Sequence, residues 1–188
     1  DLIEWYKVGR HEMRPTLYLS VNLSPQHFAK ENLVKYIKTL LTIHELPAHL
    51  LKIEVTESAL FMEPEKAIKT MNALSELGII LALDDFGTGF SSLSYLKRLP
   101  LDIIKIDRLF ISGIGVERAD EAIVDTTIVL AKRLNMQCIA EGVETPKQLA
   151  YLTRRKCNYI QGYLYSKPVD AKTIDAFLTV NTVELKVI

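Results

Sequence analysis

The chain has 188 residues, 48% of them hydrophobic and 24% charged, a composition that predicts one folded globular domain over residues 1–188 and excludes disorder. Its 23 basic and 23 acidic residues cancel, so the electrostatic footprint of a duplex-binding protein is missing and DNA or RNA duplexes are disfavoured as partners. No stretch of 18 apolar residues and no basic-then-apolar leader occurs, and the two cysteines, Cys138 and Cys157, lack zinc-ligand spacing, which points to free thiols in a cytoplasmic domain and leaves open a membrane anchor in a longer parent protein.

In chain order, β-rich runs at 17–23, 51–56, 79–83, 102–106, 136–140 and 158–160 alternate with helical ones. Ala67, Ile68, Met71, Leu74 and Leu77 form one apolar stripe of helical period, and Ile123, Val124, Thr127, Ile128, Ala131 and Leu134 form another. Ser24, Thr145 and Asp170 are predicted N-caps, the first two followed by proline, and Gly78 suits a helix stop. Strict β-α alternation implies a parallel sheet with right-handed crossovers, open or closed into a barrel. No GxGxxG follows the first strand and no P-loop is present, so a nucleotide-cofactor Rossmann reading has no support.

Every predicted strand runs into a polar residue near its C-terminal end: Asn22; Glu54 and Glu57; Asp84 and Asp85; Lys105 and Asp107; Glu141 and Glu144; Gln161. Parallel α/β folds place these ends on one face, where their active sites lie. Gathered there, seven carboxylates against one lysine would repel by roughly 1 to 4 kcal/mol per close pair, so a cation is required. The site offers oxygen donors, while His11, His27, His44 and His49 lie far from the later strand ends in sequence and are expected on the surface or in loops, which favours Mg²⁺ or Mn²⁺ over zinc.

Side-chain alternation lets Lys105 and Asp107 share a face, whereas Glu54/Glu57 and Glu141/Glu144, three apart, cannot both face the site within a regular strand. Asp84 and Asp85 are adjacent and can both reach a metal only if the strand ends there and the chain turns, a turn that Gly87 and Gly89 supply. Neighbouring carboxylates of this kind suit a two-metal phosphoryl-hydrolysis site with ions about 3.5 to 4 Å apart.

The segments SVNLSPQHF (20–28), KIEVTES (52–58), DDFGTGFSSLSYLKRLPLDIIKID (84–107), IAEGVET (139–145) and QGYLYSKP (161–168) resemble, in order, those of the EAL-domain cyclic di-GMP phosphodiesterases, over about Trp5 to Leu178. The resemblance implies an α/β fold, the modified TIM-like (β/α) barrel of the EAL type. It also implies hydrolysis of the bacterial second messenger cyclic di-GMP to linear pGpG by in-line attack of metal-activated water, with two Mg²⁺ or Mn²⁺ ions. Carried over by motif, Asn22, Glu54 and Asp84 look like ligands of one ion, and Asp84, Asp85 and Glu141 like ligands of the second. Lys105 would bind and orient the attacking water, Glu141 is also a candidate general base, and Glu57 would hold the Asp84–Phe90 loop that in the family links metal binding to dimerisation. Asp107, Glu144 and Gln161 fall on the substrate side.

One departure stands out. The family's Glu-Ala-Leu tripeptide and the arginine after it do not occur, and Glu57-Ser58-Ala59-Leu60 belongs to a different motif. Against a TIM barrel of about 250 residues, roughly 60 are missing, so an N-terminally truncated barrel with about six of eight strands is expected. From this follows weak or no activity for these residues alone; the resemblance further implies upstream sensory or cyclase domains in a parent protein and a homodimer through elements near the Asp84–Phe90 loop. The alternatives are a non-catalytic cyclic di-GMP receptor or interaction module and, more distantly, an enolase-type barrel.

Overall fold

A computed structural model describes residues 18–28, 30–89 and 93–179. Trp5, His11, Leu17 and Phe90 therefore lie outside the described residues. Six parallel strands, β1 (Leu19–Leu23), β2 (Leu51–Thr56), β3 (Ile80–Phe86), β4 (Ile103–Ile106), β5 (Gln137–Glu141) and β6 (Tyr159–Gln161), form one curled sheet in sequence order. Sequential order in a parallel sheet means that every connection is a crossover over the same face, as in a barrel wall.

The crossovers carry helices α1 (Pro25–Phe28), α2 (Leu33–Ile43), α3 (Glu57–Met62), α4 (Pro64–Glu76), α5 (Leu93–Leu96), α6 (Arg108–Ser112), α7 (Arg118–Arg133) and α8 (Pro146–Arg154), and α9 (Ala171–Thr179) follows β6. The predicted punctuation is realised. Thr145 and Gln148 form a capping box on α8, Asp170 Oδ1 accepts from Thr173 N at 2.8 Å, and Gly78 adopts φ +86° after α4.

Alternation along the strands gives the sheet two unlike faces. Ile53, Val55, Leu81, Leu83, Ile104, Ile106, Cys138 and Ala140 point outward into one core with Ala67, Met71 and Leu74 of α4 and Val124, Ile128 and Ala131 of α7. The predicted helical stripes are thus the sheet-covering faces. On the concave side, Ala82, Ile103 and Ile139 make a small apolar floor, with Ile80 and Tyr159 against it. Two residues further along the same strands, that face becomes Asp84, Lys105 and Glu141.

The third strand departs from its predicted span. It continues past Leu83 to Phe86, and its pairing with β4 shifts register between Leu83 and Phe86, a β-bulge. The extra residue is accommodated by Asp85 at φ +55°, followed by Gly87 at φ +95°. The chain therefore turns the two aspartates by a bulge inside the strand, ahead of the glycine turn. No helix among the described residues is long and apolar enough to cross a membrane.

Candidate acid–lysine site

Lys105 is the hub of the concave face. It is 3% exposed, and its ammonium lies 2.9 Å from Asp84 Oδ1 and 2.6 Å from Glu141 Oε1, and also bonds Glu54 Oε2. Neighbouring strands make this possible: Lys105 sits between β3 and β5, and Glu54 reaches it from β2 across the small Ala82. Burial opposes the ammonium's charge, but its bonds to Glu141, Glu54 and Asp84 outweigh that and hold its pKa well above the ordinary lysine range.

Glu54 is bonded at both oxygens. Oε2 takes Lys105, while Oε1 accepts from the Ser20 hydroxyl and lies 2.9 Å from Lys52 Nζ. Burial alone would raise its pKa, yet these partners together hold it below the usual carboxylate range. Glu141 behaves oppositely: burial, with Asp84 and Glu54 close by, pushes its carboxyl up despite Lys105. Asp85 is also raised, first by burial, then by Asp84 and by its hydrogen bond and proximity to Asp107. The site therefore favours the ionised form of Glu54 and opposes the ionisation of Glu141 and Asp85.

Ser20 and Lys52 are members of this network that the motif-based reading passed over. The signal was available in the period of two: Ser20 precedes Asn22, and Lys52 precedes Glu54, by one strand repeat, and the two positions pair directly across β1 and β2.

The remaining candidates separate by place. Glu57 opens α3 and is buried against the turn after Asp85, with Oε2 accepting from Gly87 N at 3.4 Å and Oε1 without a hydrogen-bond partner among the described residues. At Gly89 an added Cβ would stand 2.9 Å from that Oε1, so a side chain there would force the Glu57 carboxylate to shift. Asp107 caps α6 through Leu109 N at 2.7 Å while touching Asp85. Asn22 pairs in register with Glu54 but is exposed. Glu144 and Gln161 do not join the Lys105 cluster; with Arg108, Glu141, Tyr163 and Lys167 they line an adjoining pocket of about 720 Å³. His27 and His49 are exposed and His44 half-buried, all outside the cluster.

One oxygen each of Asp84, Asp85 and Glu141 lies within 4.8 Å of the others. A cation is the group that fits: the donors are all oxygen, two of the three carboxyls resist ionisation as they stand, and their mutual repulsion would be relieved by it.

Fold and site together define a β/α-barrel-type protein with an oxygen-donor, acid–lysine centre at the C-terminal ends of its strands. The chain belongs to the EAL-domain family, whose profile matches residues 4–168. It is 40% identical over 178 residues to the cyclic di-GMP phosphodiesterase NbdA of Pseudomonas aeruginosa, covering 95% of this chain and 22% of that protein. The solved PaMucR phosphodiesterase in complex with c-di-GMP superimposes with a TM-score of 0.86 at 39% identity, covering 92% of this chain and 68% of that one. BlrP1 of Klebsiella pneumoniae, solved with manganese and cy-diGMP, matches with a TM-score of 0.75 at 30% identity, covering 88% of this chain and 44% of that one. The chain thus spans about a fifth of the length of its curated relative NbdA.

Proposed function

We propose that residues 1–188 belong to a single EAL-type domain whose site hydrolyses cyclic di-GMP to linear pGpG with bound Mg²⁺ or Mn²⁺. The observation that carries this reading is the convergence of Glu54, Asp84 and Glu141 on the buried Lys105, with Asp85 beside them, at the C-terminal ends of four adjacent strands. Support also comes from relatives named as phosphodiesterases and from a neighbour solved with manganese and the dinucleotide.

Asp84, Asp85 and Glu141, with Glu54 and Asn22 on the β1–β2 side, are the residues that would hold the ions. Bound there, divalent ions supply Lewis-acid charge to the phosphodiester. Lys105 holds the attacking water in line and, with its raised pKa, stays protonated to stabilise negative charge on the phosphoryl oxygens. Glu141, 2.6 Å from Lys105 Nζ, is the candidate to accept that water's proton. Glu57 fixes the turn that aims Asp85. The pocket lined by Arg108, Glu144, Gln161 and Lys167 adjoins Glu141 and receives the nucleotide body.

Because the Glu-Ala-Leu tripeptide that supplies a further metal ligand in the family does not occur in these 188 residues, their turnover is expected to be weak, and the same observation favours, as a second reading, a receptor that binds cyclic di-GMP without cleaving it. Incubation with cyclic di-GMP and Mn²⁺, followed by chromatography for pGpG, separates them. Product above an Asp84→Asn control, abolished by chelation, supports hydrolysis. Binding without any product, also from a longer protein that carries the Glu-Ala-Leu segment, overturns it in favour of the receptor. A homodimer through elements near the Asp84–Phe90 loop, tested by sedimentation with and without Mn²⁺, and accompanying sensory or cyclase domains are part of the same proposal.

A further inference from the structure

Lys52 occupies a position where an apolar side chain would be expected. It lies on β2 in register with Ile80, which packs against the floor made by Ala82, Ile103 and Ile139, and one strand repeat before Glu54, which is in register with Ala82. It is 3% exposed, its ammonium lies 4.7 Å from the centroid of the Tyr18 ring, and its ion-pair partner is Glu54 Oε1 at 2.9 Å. A buried ammonium is costly unless paired, so its retention here calls for a charge to offset. That charge is in excess at this site: Glu54, Asp84, Asp85 and Glu141 face Lys105, which apart from Lys52 is the one cation among the described residues ion-paired to these four carboxylates.

We propose that Lys52 is a built-in counter-cation for Glu54, which keeps the acid cluster assembled when no metal is bound and in return lowers the site's affinity for divalent ions. The division of Glu54's oxygens makes the role specific. Oε1 is held by Ser20 and Lys52 at the floor side, so Oε2 is turned toward Lys105 and the other carboxylates. Ser20 could fix that rotamer alone by a neutral hydrogen bond. The ammonium adds a positive charge one carboxylate away from the place where a divalent ion would bind, and like charges at that separation in a buried site oppose each other strongly. Lys52 is therefore a positioning residue that acts through Glu54. The inference rests on the reading of Glu54 as part of a metal site.

The test is a Mn²⁺ titration of the protein without substrate, by calorimetry, alongside thermal unfolding with and without Mn²⁺. Lys52→Gln keeps a donor for Glu54 and removes the charge. It is expected to bind Mn²⁺ about tenfold more tightly than the wild type, to melt lower without metal, and to regain wild-type stability in saturating Mn²⁺. Lys52→Arg, which keeps the charge, should stay within about twofold of wild-type affinity. Lys52→Met serves as a second neutral variant, and native circular dichroism recovered only in the presence of Mn²⁺ supports the proposal as well. Wild-type or weaker Mn²⁺ affinity in the neutral variants overturns it, as does their failure to fold even with Mn²⁺ while Lys52→Arg folds. No Mn²⁺ binding by the wild type would instead overturn the metal-site reading itself.

Discussion

At the N-terminal ends of the strands, Asp102 Oδ2 accepts from Leu81 N at 2.8 Å and Asn158 Oδ1 accepts from Cys138 N at 2.9 Å, so each polar side chain ties down a backbone donor of the neighbouring strand. At the C-terminal ends, Asp84, Asp85, Glu54 and Glu141 have few backbone donors and instead face one another around Lys105. Similar residue types thus give a satisfied lower rim and an over-charged upper one. The lower rim lowers the energy of the sheet, while the upper rim stores repulsion that a cation relieves, which is the condition for binding one.

Removing Lys105 should break this contrast most severely. Lys105→Met would leave Glu54, Asp84 and Glu141 buried or half-buried without their shared cation, and breaking such a pairing costs about 3 to 5 kcal/mol. Urea unfolding without metal should show that loss, and pGpG formation should fall by at least about a hundredfold with the loss of oxyanion stabilisation. Wild-type turnover in a folded Lys105→Met protein would remove Lys105 from the chemistry.

A smaller effect of a different kind is expected at the lower rim. Asp102→Ala deletes the acceptor for Leu81 N and should destabilise the sheet by about 1 to 2 kcal/mol. Mn²⁺ affinity and the KM for cyclic di-GMP should not change, because Asp102 lies at the opposite end of the strands from the acid cluster. A shift in either, beyond what partial unfolding explains, would show that the two rims are coupled.

Much of this arrangement was legible in the sequence, and the reason is periodicity. Six strands, two sheet-facing helical stripes and the caps at Thr145 and Asp170 all follow from patterns confined to a few consecutive residues. The gathering of Glu54, Asp84, Lys105 and Glu141 followed from the parallel topology, which puts the C-terminal ends together whatever lies between them. What was hidden depends on relations between strands. The bulge that turns Asp85 to φ +55° arises from a register shift between β3 and β4, which no spacing within DDFGTG reveals. Lys52 reads as an ordinary strand residue until Ser20 and Glu54 are seen beside it. The division of work between Glu54 and Glu57 was foreseen as an incompatibility of faces; that β2 ends at Thr56 and α3 begins at Glu57 gives it its physical form.

Asp107 stands between the two uses of a carboxylate, and it offers the finest test of the comparison. One of its oxygens caps α6 through Leu109 N, as a lower-rim residue would, while its hydrogen bond to Asp85 helps to raise that carboxyl, as an upper-rim residue would. Asp107→Asn separates the two. Asparagine caps as well as aspartate, so the helix should be nearly unaffected, but the negative neighbour of Asp85 is gone. The sign follows from linkage. A raised Asp85 pKa means that the folded protein holds a proton more tightly than the unfolded chain, so the associated stability is full below about pH 3.9 and is lost as pH rises through the raised value. With Asp107 neutral, Asp85 ionises more easily and that loss shrinks. Metal-free unfolding midpoints of the wild type and Asp107→Asn should therefore agree near pH 4 and diverge by pH 7, with the variant the more stable, by less than about 1 kcal/mol because Asp85 is partly solvated. Parallel pH curves for the two proteins would mean that Asp107 serves only as a helix cap, and the boundary between the rims would then lie above it.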